Sequence, residues 1–322
     1  MGYTLTDHTQ VPNLIPQVTR LTNAAFAEYE GAMTVDEAWT AWYLKRPGTD
    51  PTLCQAALEG DTLVSQVLVC VQTLQLGGEL LRCGIIDSVA TDPGHRRRGL
   101  ARALMERAHE AMSDAGVEAA VLYTNPEGPA YGLYERLGYV TRARGAMFQG
   151  PRPEGGGGGP VVVDARRHGP ALQALLNDYF GAHEGYAPLD DALWRWHRLD
   201  PPAGPPTVVA EMTNSGPTAT ATFARAEVNF SSGTRAVAVA YDIAARSMNE
   251  DMLTSLLAAA PEETVLLILD ERAPECEMAV EAGLEREVGE VAMVLPLVER
   301  ARTALESRRG PWYFMVESLV GV

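Results

Sequence analysis

Apolar positions in the first 150 residues alternate between helical and strand-like patterns. Apolar residues three and four positions apart predict helices over 14–25, 35–44 and 100–112. A proline and a glycine bracket a further short helix over 129–137. Runs of β-branched and apolar residues bounded by turn residues predict strands over 3–6, 53–58, 63–76, 83–90 and 119–123. With a last strand that ends near residue 149, the predicted order is β-α-α-β-β-β-α-β-α-β, which places the chain in the α/β (α+β) class.

The second half of the chain repeats the pattern of the first. Asp36 and Trp42 match Asp190 and Trp196, each 154 positions further on. Two further pairs extend the match, Asp87 with Asp242 and Gly138 with Gly283. A repeat of this length predicts one fold written twice.

The segment at residues 150–160 separates the two copies. It holds three prolines and a run of five glycines, a composition that cannot form regular structure cheaply. The predicted organisation is therefore an N-terminal domain over 1–149, a linker over 150–160 and a C-terminal domain over 161–322. The last stretch predicts a helix near Val298 to Leu305 and then a strand at residues 312–316.

The chemistry concentrates between the fourth predicted strand and the helix that follows it. A turn at Asp92-Pro93-Gly94 leads into three consecutive arginines, and Gly99 then opens the helix. The first turn of a helix leaves backbone N–H groups without intrahelical partners and carries partial positive charge. Strand, basic turn and helix N-terminus together predict a site for a phosphate-bearing ligand. The second copy lacks the proline-glycine turn, the arginine triplet and the glycine at this place.

The run from Arg96 to Ala101 resembles the Arg/Gln-x-x-Gly-x-Gly/Ala signature of the GCN5-related N-acetyltransferase (GNAT) superfamily. Within it, the longer run from Ser88 to Ala101 is most similar to the enhanced-intracellular-survival acetyltransferases. The resemblance implies two tandem GNAT folds, each a mixed, mostly antiparallel sheet flanked by helices, the second degenerate. It implies acetyl-coenzyme A (acetyl-CoA) as cosubstrate, and it assigns the coenzyme to Val89, Ala90, Thr91, Arg96, Arg97, Arg98, Gly99, Leu100, Ala101, Arg102, Asn125 and Tyr134.

Two residues receive catalytic roles from this resemblance. The backbone N–H near Val89 would stabilise the oxyanion, and Tyr134 would protonate the leaving thiolate. Tyr134 lies four residues before Gly138, and the matching position of the second copy is Ala279. Tyr134 could instead be a core aromatic residue, and Asn125 could be a plain turn residue. The general base stays open among four side chains and a water chain, the side chains being Asp87, Asp92, His95 and Glu127.

Composition narrows the partners. The chain of 322 residues has a formal net charge of −16, which disfavours nucleic acid and anionic membrane surfaces and slightly favours a cationic amine. The four cysteines show no metal-ligand spacing and predict buried free thiols, so no metal is expected. The N-terminus shows no signal-peptide pattern and no apolar run reaches about 18 residues, which predicts a cytoplasmic protein.

The sequence thus predicts an acetyl-CoA-dependent N-acetyltransferase with its active site in the N-terminal domain. The acceptor would be a primary amine on a small molecule or a peptide, attacking the thioester directly. The alternative is a catalytically inactive CoA-binding regulatory or scaffold protein. The oligomeric state and the identity of the amine stay open.

Overall fold

A computed structural model describes residues 2–28, 34–155, 159–230, 233–307 and 310–315. Helices and strands follow the order expected for the first half, and the second half repeats it. The helices are α1 (Leu14–Phe26), α2 (Glu37–Tyr43), α3 (Leu100–Asp114), α4 (Tyr131–Arg136), α5 (Ala165–Phe180), α6 (Asp191–Arg198), α7 (Glu250–Ala258), α8 (Glu275–Glu281) and α9 (Glu299–Leu305). The strands are β1 (Thr4–Asp7), β2 (Gln55–Glu59), β3 (Thr62–Leu76), β4 (Glu79–Thr91), β5 (Ala119–Thr124), β6 (Val140–Pro151), β7 (Val161–Val162), β8 (Thr207–Thr213), β9 (Gly216–Phe230), β10 (Gly233–Ala245), β11 (Thr264–Asp270) and β12 (Glu285–Pro296).

The described residues form two compact units that are not contiguous in sequence. The first unit holds residues 2–142 and 291–307, and the second holds 143–290 and 310–315. In the first unit, residues 291–296 of β12 pair antiparallel with β5. In the second unit, residues 145–151 of β6 pair antiparallel with β11. Each unit therefore takes one strand of its sheet from the other half of the sequence, so the predicted boundary at residue 149 does not coincide with the units.

The sheet of the first unit runs β1-β2-β3-β4-β5-β12. All of its described neighbours pair antiparallel except β4 and β5, which are parallel. One face of the sheet packs on α3 and α4 around Leu104, Leu122 and Met293, and the other packs on α1 around Leu21. This agrees with the mixed, mostly antiparallel sheet and flanking helices predicted for a GNAT fold.

The second unit repeats this arrangement with strands β6-β11-β10-β9-β8-β7. Its parallel pair is β10 with β11, and its core centres on Phe148, Phe223, Leu253 and Leu267. Two expectations for its ends are corrected. Gly150 and Pro151 belong to β6 and not to the linker, whose residues 156–158 lie outside the described part of the chain.

The expected strand over 312–316 is wrong as far as the structure describes it. Residues 313–315 have no strand assignment, and Trp312 forms an isolated bridge with Glu184. Residue 316 lies outside the described part of the chain. The apolar run predicted a strand, but three aromatic residues in a row also serve as an anchor for an irregular segment.

All four cysteines are buried and unbridged, in agreement with the sequence. Burial raises the pKa of the Cys54 and Cys83 thiols to about 12. These thiols therefore stay protonated at neutral pH, and a protonated thiol is a poor nucleophile. Within the described residues, no helix is both long and apolar enough to cross a bilayer.

Two histidines of the first unit make its stability depend on pH. Burial lowers the pKa of both His8 and His109 to about 4, well below the value of an unfolded chain. The unfolded state therefore takes up protons first as the pH falls. We expect His8, which is almost fully buried, to remove about 2 kcal/mol from the free energy of unfolding between pH 7.5 and pH 5.

Urea unfolding at these two pH values and constant ionic strength measures this effect. In His8→Gln, which cannot titrate in this range, the loss between the two pH values should be smaller by about that amount. An equal loss in both proteins would contradict the assignment.

Candidate active site

The site begins where β4 and β5 separate. Their parallel pairing runs from Cys83 with Ala119 to Ile86 with Leu122 and stops there. Beyond this point β4 remains paired with β3 on its other side, up to Thr91. The two central strands therefore open a gap at their carboxyl ends, which is where α/β proteins commonly bind ligands.

A β-bulge in β4 marks the inner end of this gap. The register with β3 shifts between Asp87 and Ala90, so that Ser88 and Val89 have no partner residue across the ladder. Ser88 adopts a φ of +45°, which a serine rarely does. A bulge frees backbone groups that a regular ladder would consume. The backbone of Val89 thus lies outside the ladder at the point where an oxyanion donor was predicted.

Ala90 and Thr91 continue the strand beyond the bulge. The Asp92 N–H donates to the Val64 carbonyl, and the Ala90 carbonyl accepts from the Ser65 hydroxyl. Ala90 and Asp92 therefore face β3, and because residues alternate along a strand, the backbone of Thr91 faces the gap. The Thr91 carbonyl accepts from Arg96 Nε at 3.4 Å, which leaves the Thr91 N–H to bond an extended ligand chain.

Two arginines of the triplet hold the loop rather than project from it. Arg96 donates to the Ala25 carbonyl at 2.8 Å and pairs with Glu28 at 3.1 Å. Arg98 donates to the Tyr3 hydroxyl at 2.6 Å and to the Gly94 carbonyl. All three arginines were predicted to bind the coenzyme, but the side chains of Arg96 and Arg98 are engaged within the protein.

Arg97 differs from both of its neighbours. It is exposed, its φ is +62°, and its guanidinium makes no hydrogen bond or ion pair with any described residue. Arg102, in the first turn of α3, pairs with Glu106 at 2.8 Å on an exposed face. Among the predicted anion ligands, Arg97 is thus the side chain that the described part of the protein leaves for a ligand.

The first turn of α3 lies directly after Arg97. Gly99 is its N-cap residue with a φ of +78°, and no described side chain caps the helix. A Cβ at Gly99 would meet no atom within 4 Å, so the space beside the turn is open. Leu100 is buried in the core and anchors the turn, while Ala101 adds no bulky side chain to it. The first N–H groups of α3 therefore face open space in a region of partial positive charge.

Tyr134 lies on α4, in the same apolar cluster as Leu100, and Val89 packs against this cluster. Tyr134 is 6% exposed, and its ring meets the ring of Tyr139 edge to face with the centroids 6.0 Å apart. The structure thus places all three predicted positions in or against one core cluster. Its burial also fits the core reading, so the catalytic role of Tyr134 remains a prediction.

Asn125 forms the turn after β5. Its side-chain oxygen accepts from the Glu127 N–H, and its carbonyl accepts from the Gly128 N–H. In the second unit Asp270 makes the same two bonds, with Arg272 and Ala273. Because the same turn is present in the second unit, the structure gives Asn125 a turn-forming role, and coenzyme contact stays a prediction.

Two of the candidate bases make hydrogen bonds or ion pairs within the protein, and a third lies on an exposed turn. His95 bonds the Tyr3 hydroxyl at 3.0 Å through Nδ1, and Asp92 caps the turn at Gly94 and pairs with Arg20. Glu127 is exposed. Asp87 is half-buried at the edge of the bulge and accepts from the Ser88 N–H. Asp87 is therefore the candidate that lies beside the bulge.

The match of Asp87 with Asp242 is corrected by one residue. In the second unit the bulge lies between Tyr241 and Ala244, and Asp242 has the positive φ of +53°. Asp242 therefore corresponds to Ser88, and Asp87 corresponds to Tyr241. Asp87 therefore has no repeated aspartate at the matching position of the second unit. A serine at positive φ leaves no sequence signal, which is why the one-residue shift was missed.

The corresponding helix in the second unit begins differently. The Asn249 side chain caps α7 by accepting from the Met252 N–H, and Glu250 and Asp251 follow in the first turn. A side-chain cap and two carboxylates oppose the binding of a phosphate. This helix start is therefore not built for the anion that α3 would take.

A C-terminal segment also lines the corresponding gap in the second unit. The Trp312 N–H donates to Asp270 at 2.7 Å, and the Tyr313 hydroxyl donates to Asp242 at 2.7 Å. Pro311 to Phe314 line a cavity there together with β10 and β11. The gap in the second unit is thus lined and hydrogen-bonded by residues 311–314 of the same chain. No described group of three or more His, Cys, Asp and Glu side chains could hold a metal ion.

Comparisons with known proteins give one matching family and several similar proteins. The family model "Acetyltransferase (GNAT) domain" matches residues 10–141. N-acetyltransferase Eis of Mycobacterium tuberculosis is 32% identical over 158 residues, which are 46% of this chain and 37% of the relative. N-alpha-acetyltransferase 30 of Xenopus laevis is 34% identical over 95 residues, 29% of this chain and 34% of that protein. The match thus spans little more than a third of these relatives.

Two solved structures share the fold over nearly the whole chain. One is a conserved protein of unknown function from Enterococcus faecalis V583, described as a probable N-acyltransferase, with a TM-score of 0.68 at 12% identity, covering 94% of this chain and 74% of that one. The other is a GCN5-related N-acetyltransferase from Anabaena variabilis, with a TM-score of 0.66 at 15% identity, covering 92% and 73%. Over residues 10–141 the chain therefore carries an acetyltransferase domain of the GNAT family.

Proposed function

We propose that this protein transfers an acetyl group from acetyl-CoA to a primary amine, using a single site in the first unit. The observation that carries the proposal is the start of α3, which has no side-chain cap among the described residues and lies beside the exposed Arg97. The second unit supports it by contrast, since the matching helix is capped and acidic. The residues of the site in the first unit fit the expected cosubstrate, acetyl-CoA, which has a pyrophosphate joined to a long extended arm.

The coenzyme would meet three parts of the site. Its pyrophosphate would bind the N–H groups of the first turn of α3 and the Arg97 guanidinium. Its extended arm would bond the backbone of Thr91 in the gap between β4 and β5. Its thioester would then lie near the bulge at Val89, where a backbone N–H outside the ladder can stabilise developing negative charge.

In the reaction the amine nitrogen bonds to the acetyl carbon, and the carbon–sulfur bond breaks. The amine must lose a proton and the leaving sulfur must gain one. We assign the first task to Asp87, directly or through water, and the second to Tyr134. A charge of −16 would attract a protonated amine to the protein, and the base would then neutralise it.

Arg97 provides a direct test of the coenzyme site. Arg97→Ala should weaken coenzyme A binding about 10-fold, because a charge-assisted contact to phosphate is lost. Calorimetric titration measures this. Arg302→Ala, which removes an exposed arginine from α9 of the same unit, is the matched control and should bind normally. Equal affinity of Arg97→Ala and wild type would contradict the placement.

Release of free thiol from acetyl-CoA in the presence of a panel of amines tests the activity itself. The panel should span small diamines, polyamines and peptides with a free N-terminus. We expect amine-dependent thiol release for at least one of these classes. Coenzyme binding without thiol release for any amine would instead favour the inactive CoA-binding regulator.

A further inference from the structure

The buried Tyr139 and the half-buried His109 form a hydrogen-bonded pair next to Tyr134. The Tyr139 hydroxyl and His109 Nε2 are 2.8 Å apart, and the two rings are 5.5 Å apart at their centroids. Tyr139 is 2% exposed and lies in the core cluster that also contains Tyr134. A buried hydroxyl of this kind normally needs a partner, and the imidazole supplies it.

Tyr139 is also connected directly to Tyr134. The chain reverses at Gly138, whose φ of +93° favours glycine, and the Tyr139 N–H then donates to the Tyr134 carbonyl at 3.0 Å. The ring of Tyr139 meets the ring of Tyr134 edge to face. Tyr134 is thus held by Tyr139 through both its backbone and its ring.

His109 lies on α3, the helix whose first turn we assign to the pyrophosphate. This α3 side chain is therefore hydrogen-bonded to the hydroxyl of Tyr139, the residue that packs against Tyr134. Burial keeps this pair neutral, because it lowers the pKa of His109 to about 4 and raises the pKa of Tyr139 well above its usual value. A neutral pair orients its neighbour without exchanging protons in the physiological range.

We propose that Tyr139 and His109 are positioning residues that fix the ring of Tyr134 for protonation of the leaving thiolate. This inference rests on the proposed function for its role in turnover. The second unit fits it, since Leu284 and Ala279 occupy the places of Tyr139 and Tyr134 with the same backbone bond. The tyrosine and its support are absent together where the helix start is capped.

A double-mutant cycle on kcat tests the positioning role. Tyr139→Phe keeps the ring but loses the hydroxyl, and we expect kcat to fall about 5- to 10-fold with the KM for acetyl-CoA unchanged. In a Tyr134→Phe background the same substitution should change kcat by less than twofold. Tyr131→Phe is the matched control on α4, since it loses a hydroxyl bond to Thr141 and should leave kcat unchanged.

A second readout keeps the inference testable if no acceptor is found. With ring-labelled tyrosine, the NMR signal of Tyr134 should broaden or shift in Tyr139→Phe and in His109→Phe, but not in Tyr131→Phe. An unchanged Tyr134 signal in Tyr139→Phe would overturn the inference whether or not the protein turns over acetyl-CoA. Multiplicative losses of kcat in the double mutant would overturn it as well, while leaving the proposed function intact.

Discussion

A chain truncated after residue 149 should fail to fold into the first unit. Residues 291–296 of β12 cover the edge of β5, and they bury Val291 and Met293 in the core around α3. Losing two fully buried side chains of this size removes about 4 kcal/mol or more, a large part of the stability of an average domain. The exposed edge of β5 would add a risk of aggregation.

Circular dichroism melting and coenzyme A titration of residues 1–149 measure this. We expect no cooperative melting and no coenzyme binding. A fusion that appends residues 285–307 to residue 149 through a flexible linker is the matched control, and it should recover part of both. Cooperative melting of residues 1–149 alone would show that the borrowed strand is dispensable.

Tyr134→Phe should lower kcat about 100-fold while leaving coenzyme A affinity nearly unchanged. The phenol would be lost as proton donor to the thiolate, and general acid catalysis typically contributes 10²- to 10⁴-fold. The ring would still fill the cluster with Leu100, so the fold should persist. Thiol release under saturating acetyl-CoA measures kcat, and calorimetry measures affinity.

The outcome separates the two interpretations of this buried tyrosine. A rate close to wild type would assign Tyr134 to the core alone and remove it from the mechanism. Weaker coenzyme binding with unchanged kcat would assign it to binding.

Asp87→Asn makes a companion test, because it should reduce the rate most at low pH, where the amine is most protonated and the base matters most.

The order of elements was predictable because each depends on local patterns. Helix α3 announces itself by Leu100, Leu104 and Ala108 on one face and by the glycine before it. The contacts of the arginines were not predictable, because they depend on residues that are distant in sequence. Arg96 donates to a carbonyl at the end of α1 and Arg98 donates to Tyr3, and neither contact has a sequence signal.

The exchange of strands escaped prediction for a related reason. Both β6 and β12 follow a short helix and hold a short apolar stretch in their second half, so either could complete either sheet. Which one pairs with β5 is decided by long-range packing of Val291 and Met293. A periodic pattern identifies a strand, but it does not identify the partner of that strand.

Comparison of the two units separates the positions that both share from those that differ. Asn125 and Asp270 make the same turn, which assigns that position to the fold. Tyr134 and Ala279 share a backbone position but not a side chain, which leaves Tyr134 as a difference between the copies. The open start of α3 and the capped start of α7 differ in the same sense.

A crystal structure with coenzyme A bound tests the central claim most directly. The account predicts one coenzyme per chain, with its pyrophosphate against residues 97–102 and its sulfur near Val89 and Tyr134. Arg97 should turn toward the phosphates, while Arg96 and Arg98 should keep their bonds to Ala25 and Tyr3. A coenzyme seated at the start of α7, or one in each unit, would contradict it.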